Sequence, residues 1–162
     1  MSTTPAIQGP RTTKHLEQMR AIIRGDGQAP PIAKLIGFEF VSIDLGHSTF
    51  ELHAGPQHTN PMGTLHGGIL GDLADIAIGT AMASTLEDDE SFTTLDLTVK
   101  FLKPVWKARL RATARLVKRT RSLGLLECDV VDEGGSLVAR VYSTCMVLRG
   151  DDAKGLSRPQ RQ

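Results

Sequence analysis

Residues 67–84 read GGILGDLADIAIGTAMAS, and this stretch decides the fold. It is too long for a single strand, and as a helix rising 1.5 Å per residue it would extend roughly 27 Å. Apolar side chains surround its axis, namely Ile69, Leu70, Leu73, Ile76, Ala77, Ile78, Ala81 and Met82. A helix that is apolar on nearly all sides is buried inside other structure. Close approach of another backbone is favoured by the glycines of the same stretch, which are Gly67, Gly68, Gly71 and Gly79.

The sequence on either side of this helix alternates between apolar and polar residues with the period of a half-buried strand. Segments with this pattern lie at residues 38–43, 48–53, 94–101, 109–116, 126–130 and 139–147. Several are joined by short turns, such as residues 45–47 and 132–135, and short turns are typical of antiparallel pairing. The sequence therefore predicts an α+β domain in which an antiparallel sheet of about six strands wraps one central helix.

The chain has 162 residues and a mass of 17.5 kDa, which fits one domain. Residues 1–28 are predicted to hold a Thr/Pro-rich tail over residues 1–12 and a short helix over residues 13–24, stopped by Gly25. The domain itself is assigned to residues 29–149. Residues 150–162 are polar without periodicity, and we expect a disordered C-terminal tail there.

Composition excludes several classes of function. Nineteen Lys+Arg against eighteen Asp+Glu leave a net charge of +1, and only 4% of the residues are aromatic, which argues against nucleic-acid binding. No apolar run approaches the ~20 residues of a membrane span, and residues 1–14 lack the apolar core of a secretory signal. Cys128 and Cys145 are interpreted as reduced core thiols of a cytoplasmic protein. No Cys/His/carboxylate cluster has metal-ligand spacing, so no metal is expected.

Two carboxylates, Asp72 and Asp75, interrupt the apolar helix. Burying an unpaired carboxylate costs several kcal/mol, so such a residue needs a partner, an exit to water or a chemical task. Upstream, the irregular loop of residues 57–66 brings an amide and an imidazole to the helix start, where free N–H groups point outward. Donors for an oxyanion together with a base for water suit acyl-transfer hydrolysis. A solvated helix charge at Asp72 and a purely structural hydrogen bond at His66 remain the simpler alternatives.

The pattern Asn60-x-x-Gly63-x-x-His66-Gly67-Gly68, followed by Leu73-Ala74-Asp75, resembles the signature of hotdog-fold thioesterases of the phenylacetic-acid-degradation (PaaI-like) type. That group belongs to the 4-hydroxybenzoyl-CoA thioesterase-like superfamily, and the similarity extends over about residues 38–148. The resemblance implies the hotdog fold and a dimer whose sheets join edge to edge, often doubled into a tetramer. It also implies active sites between subunits and no cofactor apart from the coenzyme A of the substrate.

The same resemblance implies roles for individual residues. Asp75 matches the carboxylate that acts as general base or nucleophile on a thioester, and the Gly67 N–H matches the donor that polarises the carbonyl. Asn60 matches the residue that positions water, and His66 the loop histidine that supports this geometry. Thr94, on the polar side of its predicted strand, falls where relatives place a Ser or Thr reaching the site from the partner subunit.

Coenzyme A phosphates need cations, and residues 118–122, which read KRTRS, supply three. Relatives carry a Gly-(Arg/Lys)-(Ser/Thr) turn here; Thr120 replaces the glycine, and Arg121 and Ser122 match the contacts. Gly68 is expected beside the substrate at the helix start.

Together, these residues predict an acyl-CoA thioesterase that acts on a small aryl- or medium-chain acyl-CoA. The alternative is an acyl-CoA-binding or sensing protein of the same fold without turnover. A hydratase acting on enoyl-CoA ranks last, because such enzymes carry the aspartate before the histidine, whereas here His66 precedes Asp75.

Overall fold

The computed structural model describes residues 13–155; the tail predicted for residues 1–12 and the end of the one predicted for 150–162 lie outside this range. The helices are α1 (Lys14–Arg24), α2 (Pro31–Ile36), α3 (Gly67–Ala83) and α4 (Asp151–Gly155), and a 3-10 turn covers Pro56–His58. The strands are β1 (Phe38–Asp44), β2 (His47–Ala54), β3 (Glu90–Phe101), β4 (Ala108–Arg119), β5 (Leu123–Asp132) and β6 (Leu137–Arg149).

The six strands form one antiparallel sheet in the order β1-β2-β4-β5-β6-β3. Helix α3 packs against the inner face of this sheet, and Leu73, Ala77 and Ala81 are fully buried there. The prediction of a central helix wrapped by about six antiparallel strands is confirmed, and this is the hotdog arrangement.

The first helix begins and ends as its sequence predicts. The Thr13 hydroxyl accepts a hydrogen bond from the Leu16 N–H, and Gly25 ends α1 with a φ of 85°, a left-handed conformation that favours glycine. The sequence does not predict α2. Gly25 ends α1 well before the prolines at 30 and 31, and Pro31 occupies the first position of a new helix, where its missing N–H costs nothing.

The end of the domain also differs from expectation. Residues 151–155, which their composition places in a tail, form the short helix α4. Acidic residues in its first turn and Lys154 in its last have the charge order that favours a helix.

Both cysteines are buried free thiols. Cys128 lies opposite Val141 on β6, and burial raises the pKa of its thiol to about 12, so it is unreactive at neutral pH. No helix within residues 13–155 combines the length and the apolar character that crossing a bilayer requires.

Strand β3 leaves one edge of the sheet open. Eleven of its twelve residues pair with β6, and no strand within the described range pairs with its other side. Leu95 on this strand is 53% exposed, and Leu97 is also exposed. A long open edge with exposed leucines is a typical pairing surface for a second chain.

Candidate active site

The loop before α3 is closed by the side chain of Asn60. Its Oδ1 accepts hydrogen bonds from the N–H groups of Met62 (2.9 Å) and Thr64 (3.3 Å), and its Nδ2 donates to the Thr64 hydroxyl (2.7 Å). Gly63 completes the turn with a φ of 79°. Since the Nδ2 group carries two hydrogens, one N–H of Asn60 is left for a water or a substrate.

The start of α3 leaves one backbone donor free. His66 Nδ1 accepts a hydrogen bond from the Gly68 N–H at 3.0 Å, so the ring hydrogen lies on Nε2, and the Ile69 N–H donates to the His66 carbonyl. The Gly67 N–H has no acceptor within residues 13–155. A substrate oxygen can therefore reach the Gly67 N–H, whereas the Gly68 N–H is already occupied by the imidazole.

One row of α3, spaced four residues apart, faces β3. The row contains Gly67, Gly71, Asp75 and Gly79, and residues four apart lie above one another on a helix. Side chains of β3 lie within 4 Å of the Cβ positions of the three glycines, and these are Phe101 for Gly67, Leu97 and Val99 for Gly71, and Phe92 for Gly79. Asp75, between Gly71 and Gly79, is therefore directed at the part of β3 between Leu97 and Phe92.

The Asp75 carboxylate has no hydrogen-bond donor or cation against it in the described part of the chain. Partial burial raises the pKa of its carboxyl group above the ordinary value of 3.8, and the like charge of Asp72 raises it further. A structural acid is normally held by donors that lower its pKa. Asp75 lacks such donors, and this agrees with a chemical task.

Thr94 lies on the face of β3 that is turned toward α3. A bulge between Thr94 and Asp96 shifts the register with β6 and interrupts the alternation of sides. Thr94 is paired with the fully buried Cys145, and directly opposed residues point to the same face. The continuous alternation predicted from the sequence, with Thr94 on the polar side, is therefore wrong.

Asp75 and Thr94 both lie near the Cys145 thiol. Burial raises the pKa of the Cys145 thiol, the Thr94 and Ser143 hydroxyls act against this rise, and the Asp75 carboxylate lies near enough to add to it. Asp75 and Thr94 make up a candidate carboxylate half-site at the bulge of β3.

Within one chain this carboxylate half-site stands apart from the loop half-site formed by Asn60, His66 and Gly67. Eight residues of helix separate Gly67 from Asp75, which is about 12 Å at 1.5 Å per residue. A base and an oxyanion donor acting on one carbonyl must both lie about 3 Å from the reacting atoms. One chain does not bring the two half-sites together.

The predicted coenzyme A contacts lie still farther from Gly67. Arg121 and Ser122 are exposed in the turn between β4 and β5. Gly124, just after this turn, packs against Met82 in the last turn of α3. The turn therefore lies at the opposite end of a helix that is about 25 Å long.

The three cations predicted near this turn differ in their contacts. Arg119 pairs with the buried Glu90 at 3.0 Å. Lys118 and Arg121 have no acidic partner within residues 13–155, and both belong to the exposed part of the strand end and turn. Of the three, these two are available to a phosphate.

Two features of the site could not be predicted from the sequence. His58 is buried beneath the loop, although its sequence suggests an ordinary loop histidine. A cleft of about 360 Å³ opens beside Gly67, lined among others by Leu65, Leu70, Phe101 and Val105. No sequence pattern predicts this cleft, because its walls come from two segments, residues 65–70 and 101–105, that are far apart in the chain.

Comparisons with known proteins show the family to which this chain belongs. A family model described as Thioesterase superfamily matches residues 62–139. Human acyl-coenzyme A thioesterase 13 is 25% identical over 131 residues, covering 79% of this chain and 93% of that protein. The 1,4-dihydroxy-2-naphthoyl-CoA hydrolase of Listeria monocytogenes is 28% identical over 116 residues, covering 72% and 93%. The crystal structure of a phenylacetic acid degradation-related protein from Ralstonia eutropha JMP134 superposes with a TM-score of 0.73 at 31% identity, covering 80% of this chain and 98% of that one. By its fold, its helix-start loop and these relatives, the chain belongs to the thioesterase superfamily.

Proposed function

We propose that this protein hydrolyses the thioester of an acyl-CoA to a free carboxylic acid and coenzyme A. The observation that carries the proposal is a pair of unsatisfied groups on α3: the Gly67 N–H has no acceptor, and the Asp75 carboxylate has no donor. A donor aimed at a carbonyl oxygen and a base beside it are the two parts that thioester hydrolysis needs.

In the proposed reaction the thioester carbonyl oxygen accepts a hydrogen bond from the Gly67 N–H. Ionised Asp75 takes a proton from water, whose oxygen attacks the carbonyl carbon, or the carboxylate attacks that carbon itself. The negative charge that develops on the carbonyl oxygen is stabilised by the Gly67 N–H. The C–S bond then breaks, and the departing thiolate of coenzyme A takes up the proton that Asp75 removed from water. If the carboxylate attacks instead, the same bond cleavage leaves a mixed anhydride on Asp75. Water then hydrolyses this anhydride to the free acid and ionised Asp75, and a proton from that water goes to the thiolate. The Nε2–H of His66 and the free N–H of Asn60 orient the reactants.

The site is proposed to form between two chains, because one chain cannot bring its own two half-sites to the same carbonyl. Gly67 and Asp75 are each four residues from Gly71. A two-fold axis passing beside Gly71 would therefore place Gly67 of each chain level with Asp75 of the other, and would form two sites at once. The exposed side of α3 supports this arrangement, since Gly68, Asp72 and Asp75 are all exposed in the single chain.

The open edge of β3 supplies the contact for such a dimer. Antiparallel pairing of two β3 strands would satisfy their unpaired N–H and C=O groups and cover Leu95 and Leu97. A further pairing of dimers and a cytoplasmic location stay predictions from the sequence.

Replacing Leu95 by glutamate tests this contact. We expect the variant to be a folded monomer that loses at least about 10²-fold of the activity, since separated half-sites cannot act on one carbonyl. Sedimentation gives the mass and a thiol-release assay gives the activity. Leu35→Glu is the matched control, because Leu35 is 82% exposed on α2 and its replacement should leave the dimer intact. A Leu95→Glu dimer with full turnover would contradict the arrangement.

The coenzyme A contacts follow from the same symmetry. Two α3 helices related by an axis beside Gly71 run antiparallel, and the partner's Gly67 lies level with Asp75. The turn that holds Arg121 and Ser122 lies beyond Asp75, near the last turn of α3. It is therefore on the same side of the axis as the partner's Gly67. The pantetheine arm separates the thioester from the phosphates, which is compatible with cations set apart from the reacting carbonyl.

A panel of aryl, short-, medium- and long-chain acyl-CoAs tests the function directly. The apolar lining of the cleft beside Gly67 favours aryl and medium-chain acyl groups, and we expect these to release thiol fastest. Tight binding of the whole panel without thiol release would instead indicate an acyl-CoA-binding protein.

A further inference from the structure

His58 is a polar side chain turned inward in an otherwise exposed connection. It ends the 3-10 turn that links β2 to the loop half-site, and it is only 7% exposed, whereas Pro56, Gln57 and Thr59 around it are exposed. A buried imidazole must find partners for both of its nitrogens.

Both nitrogens of the ring contact backbone groups of different elements. The Gly55 N–H, just after β2, donates to Nδ1 at 3.2 Å, and Nε2 lies 2.9 Å from the carbonyl of Ile36, the last residue of α2. Because an N–H can only donate, Nδ1 is the acceptor; the hydrogen then lies on Nε2 and is donated to the Ile36 carbonyl. The ring is thereby fixed as one neutral tautomer that joins α2 to the end of β2.

The main chain of His58 continues this link into the loop half-site. Its carbonyl accepts a hydrogen bond from the His66 N–H at 2.8 Å. His66 is the N-cap of α3, and its imidazole accepts a hydrogen bond from the Gly68 N–H. Gly67 is therefore the residue directly after the one that makes this hydrogen bond.

A second set of contacts fixes the same segment from the other side. Thr59 and Leu65 form an antiparallel bridge, and the Leu65 N–H donates to the Val105 carbonyl at 2.6 Å. These contacts attach the segment to the connection after β3, while His58 attaches it to α2 and β2. Loss of the His58 ring would release the segment from α2 and β2 and leave its attachment to the connection after β3 intact.

We propose that His58 is a positioning residue, whose ring fixes the distance between the sheet and the helix start and so aims the Gly67 N–H at the substrate carbonyl. The assignment of a catalytic consequence rests on the proposed thioesterase function. The positioning itself is a property of the loop and can be measured without turnover.

Three substitutions separate the two ring contacts. His58→Asn places an amide where Nδ1 lies and can keep the Gly55 contact, whereas His58→Gln reaches the Ile36 carbonyl in place of Nε2. His58→Ala removes both contacts. We expect His58→Ala to lower kcat roughly 10²-fold, as a misplacement of about 1 Å does, and the Asn and Gln variants to lie between it and the parent. His53→Gln is the matched control, because His53 is an exposed histidine on β2, and it should keep parental activity.

Hydrogen exchange at single amides distinguishes a positioning role of His58 from a general contribution to stability. In the Asn and Gln variants we expect faster hydrogen exchange at the His66 amide, with unchanged exchange at amides in the middle of α3. These two variants carry the test if His58→Ala does not fold. The proposal is overturned if the His66 amide stays as protected as in the parent, or if kcat in every folded variant equals that of the parent at a temperature well below its Tm. If the parent hydrolyses no acyl-CoA while exchange at His66 still rises in the variants, the positioning role stands and the thioesterase assignment fails.

Discussion

Replacing Asp75 by asparagine lowers kcat for acyl-CoA hydrolysis by at least about 10²-fold, the usual scale for loss of a catalytic acid–base group. Asparagine keeps the size of the side chain but can neither accept the proton of water nor attack the thioester. The Asp75 carboxylate makes no hydrogen bond within residues 13–155 that asparagine could break. We therefore expect a folded dimer with a nearly unchanged KM, and steady-state kinetics with a thiol reagent measures both constants.

Asp72→Asn is the matched control for this loss. Asp72 lies three residues away on the same helix, carries the same charge and is exposed, but the row that faces β3 does not include it. We expect it to retain turnover. If Asp72→Asn abolishes activity and Asp75→Asn does not, the two carboxylates have been assigned in the wrong order.

The pH profile distinguishes the two aspartates further. Activity requires ionised Asp75, and burial followed by the charge of Asp72 raises the pKa of its carboxyl group, so the acid limb of kcat/KM lies above the ordinary value of 3.8. Asp72→Asn removes the second cause, and we expect the limb to move to lower pH. An unmoved limb would show that a different group controls it.

The raised pKa of Asp75 also makes the stability of the protein depend on pH. The fold disfavours the ionised form of Asp75, so its cost is fully present above the folded pKa and disappears below the unfolded value, where both states are protonated. Asp75→Asn removes this cost. The inactive variant is therefore expected to unfold at a higher temperature than the parent at neutral pH and at the same temperature in strong acid.

The sequence predicts those parts of the structure that repeat along the chain. The period of two in the strands and the uniformly apolar residues 67–84 are local signals, and together they determine the sheet and its central helix. The N–H of Gly67 follows from the same signal, because a helix that begins there must leave its first donors free.

What the sequence does not predict depends on residues far apart in the chain. The sequence of β3 alternates regularly, with apolar residues at Leu95, Leu97, Val99 and Phe101. This pattern contains no local signal for the bulge. The bulge is held from β6, where the Ser143 hydroxyl donates to the Asp96 carbonyl and the Thr144 N–H donates to the Asp96 carboxylate. His58 is hidden for the same reason, because its ring contacts backbone groups, which have no signature in a sequence.

Mixing two inactive variants restores activity if each site takes one half from each chain. The loop variant carries Asn60→Ala and His66→Ala, and the carboxylate variant carries Asp75→Asn; each homodimer is expected to be inactive. In a dimer of one chain of each kind, one site receives both defects and the other receives neither. Random assembly makes half of the dimers mixed, so an equimolar refolded mixture should recover about one quarter of the parental activity.

The inverse combination makes the test decisive. A chain that carries all three substitutions is assembled with the parental chain, and the mixed dimer is purified through two different tags. Shared sites leave this dimer inactive, because each of its two sites receives one damaged half. Sites contained within single chains would instead leave it about half as active as the parental dimer. The 12 Å between Gly67 and Asp75 on one helix, about eight residues at 1.5 Å each, requires the first outcome, and a half-active mixed dimer would refute the shared site even if Asp75→Asn is inactive.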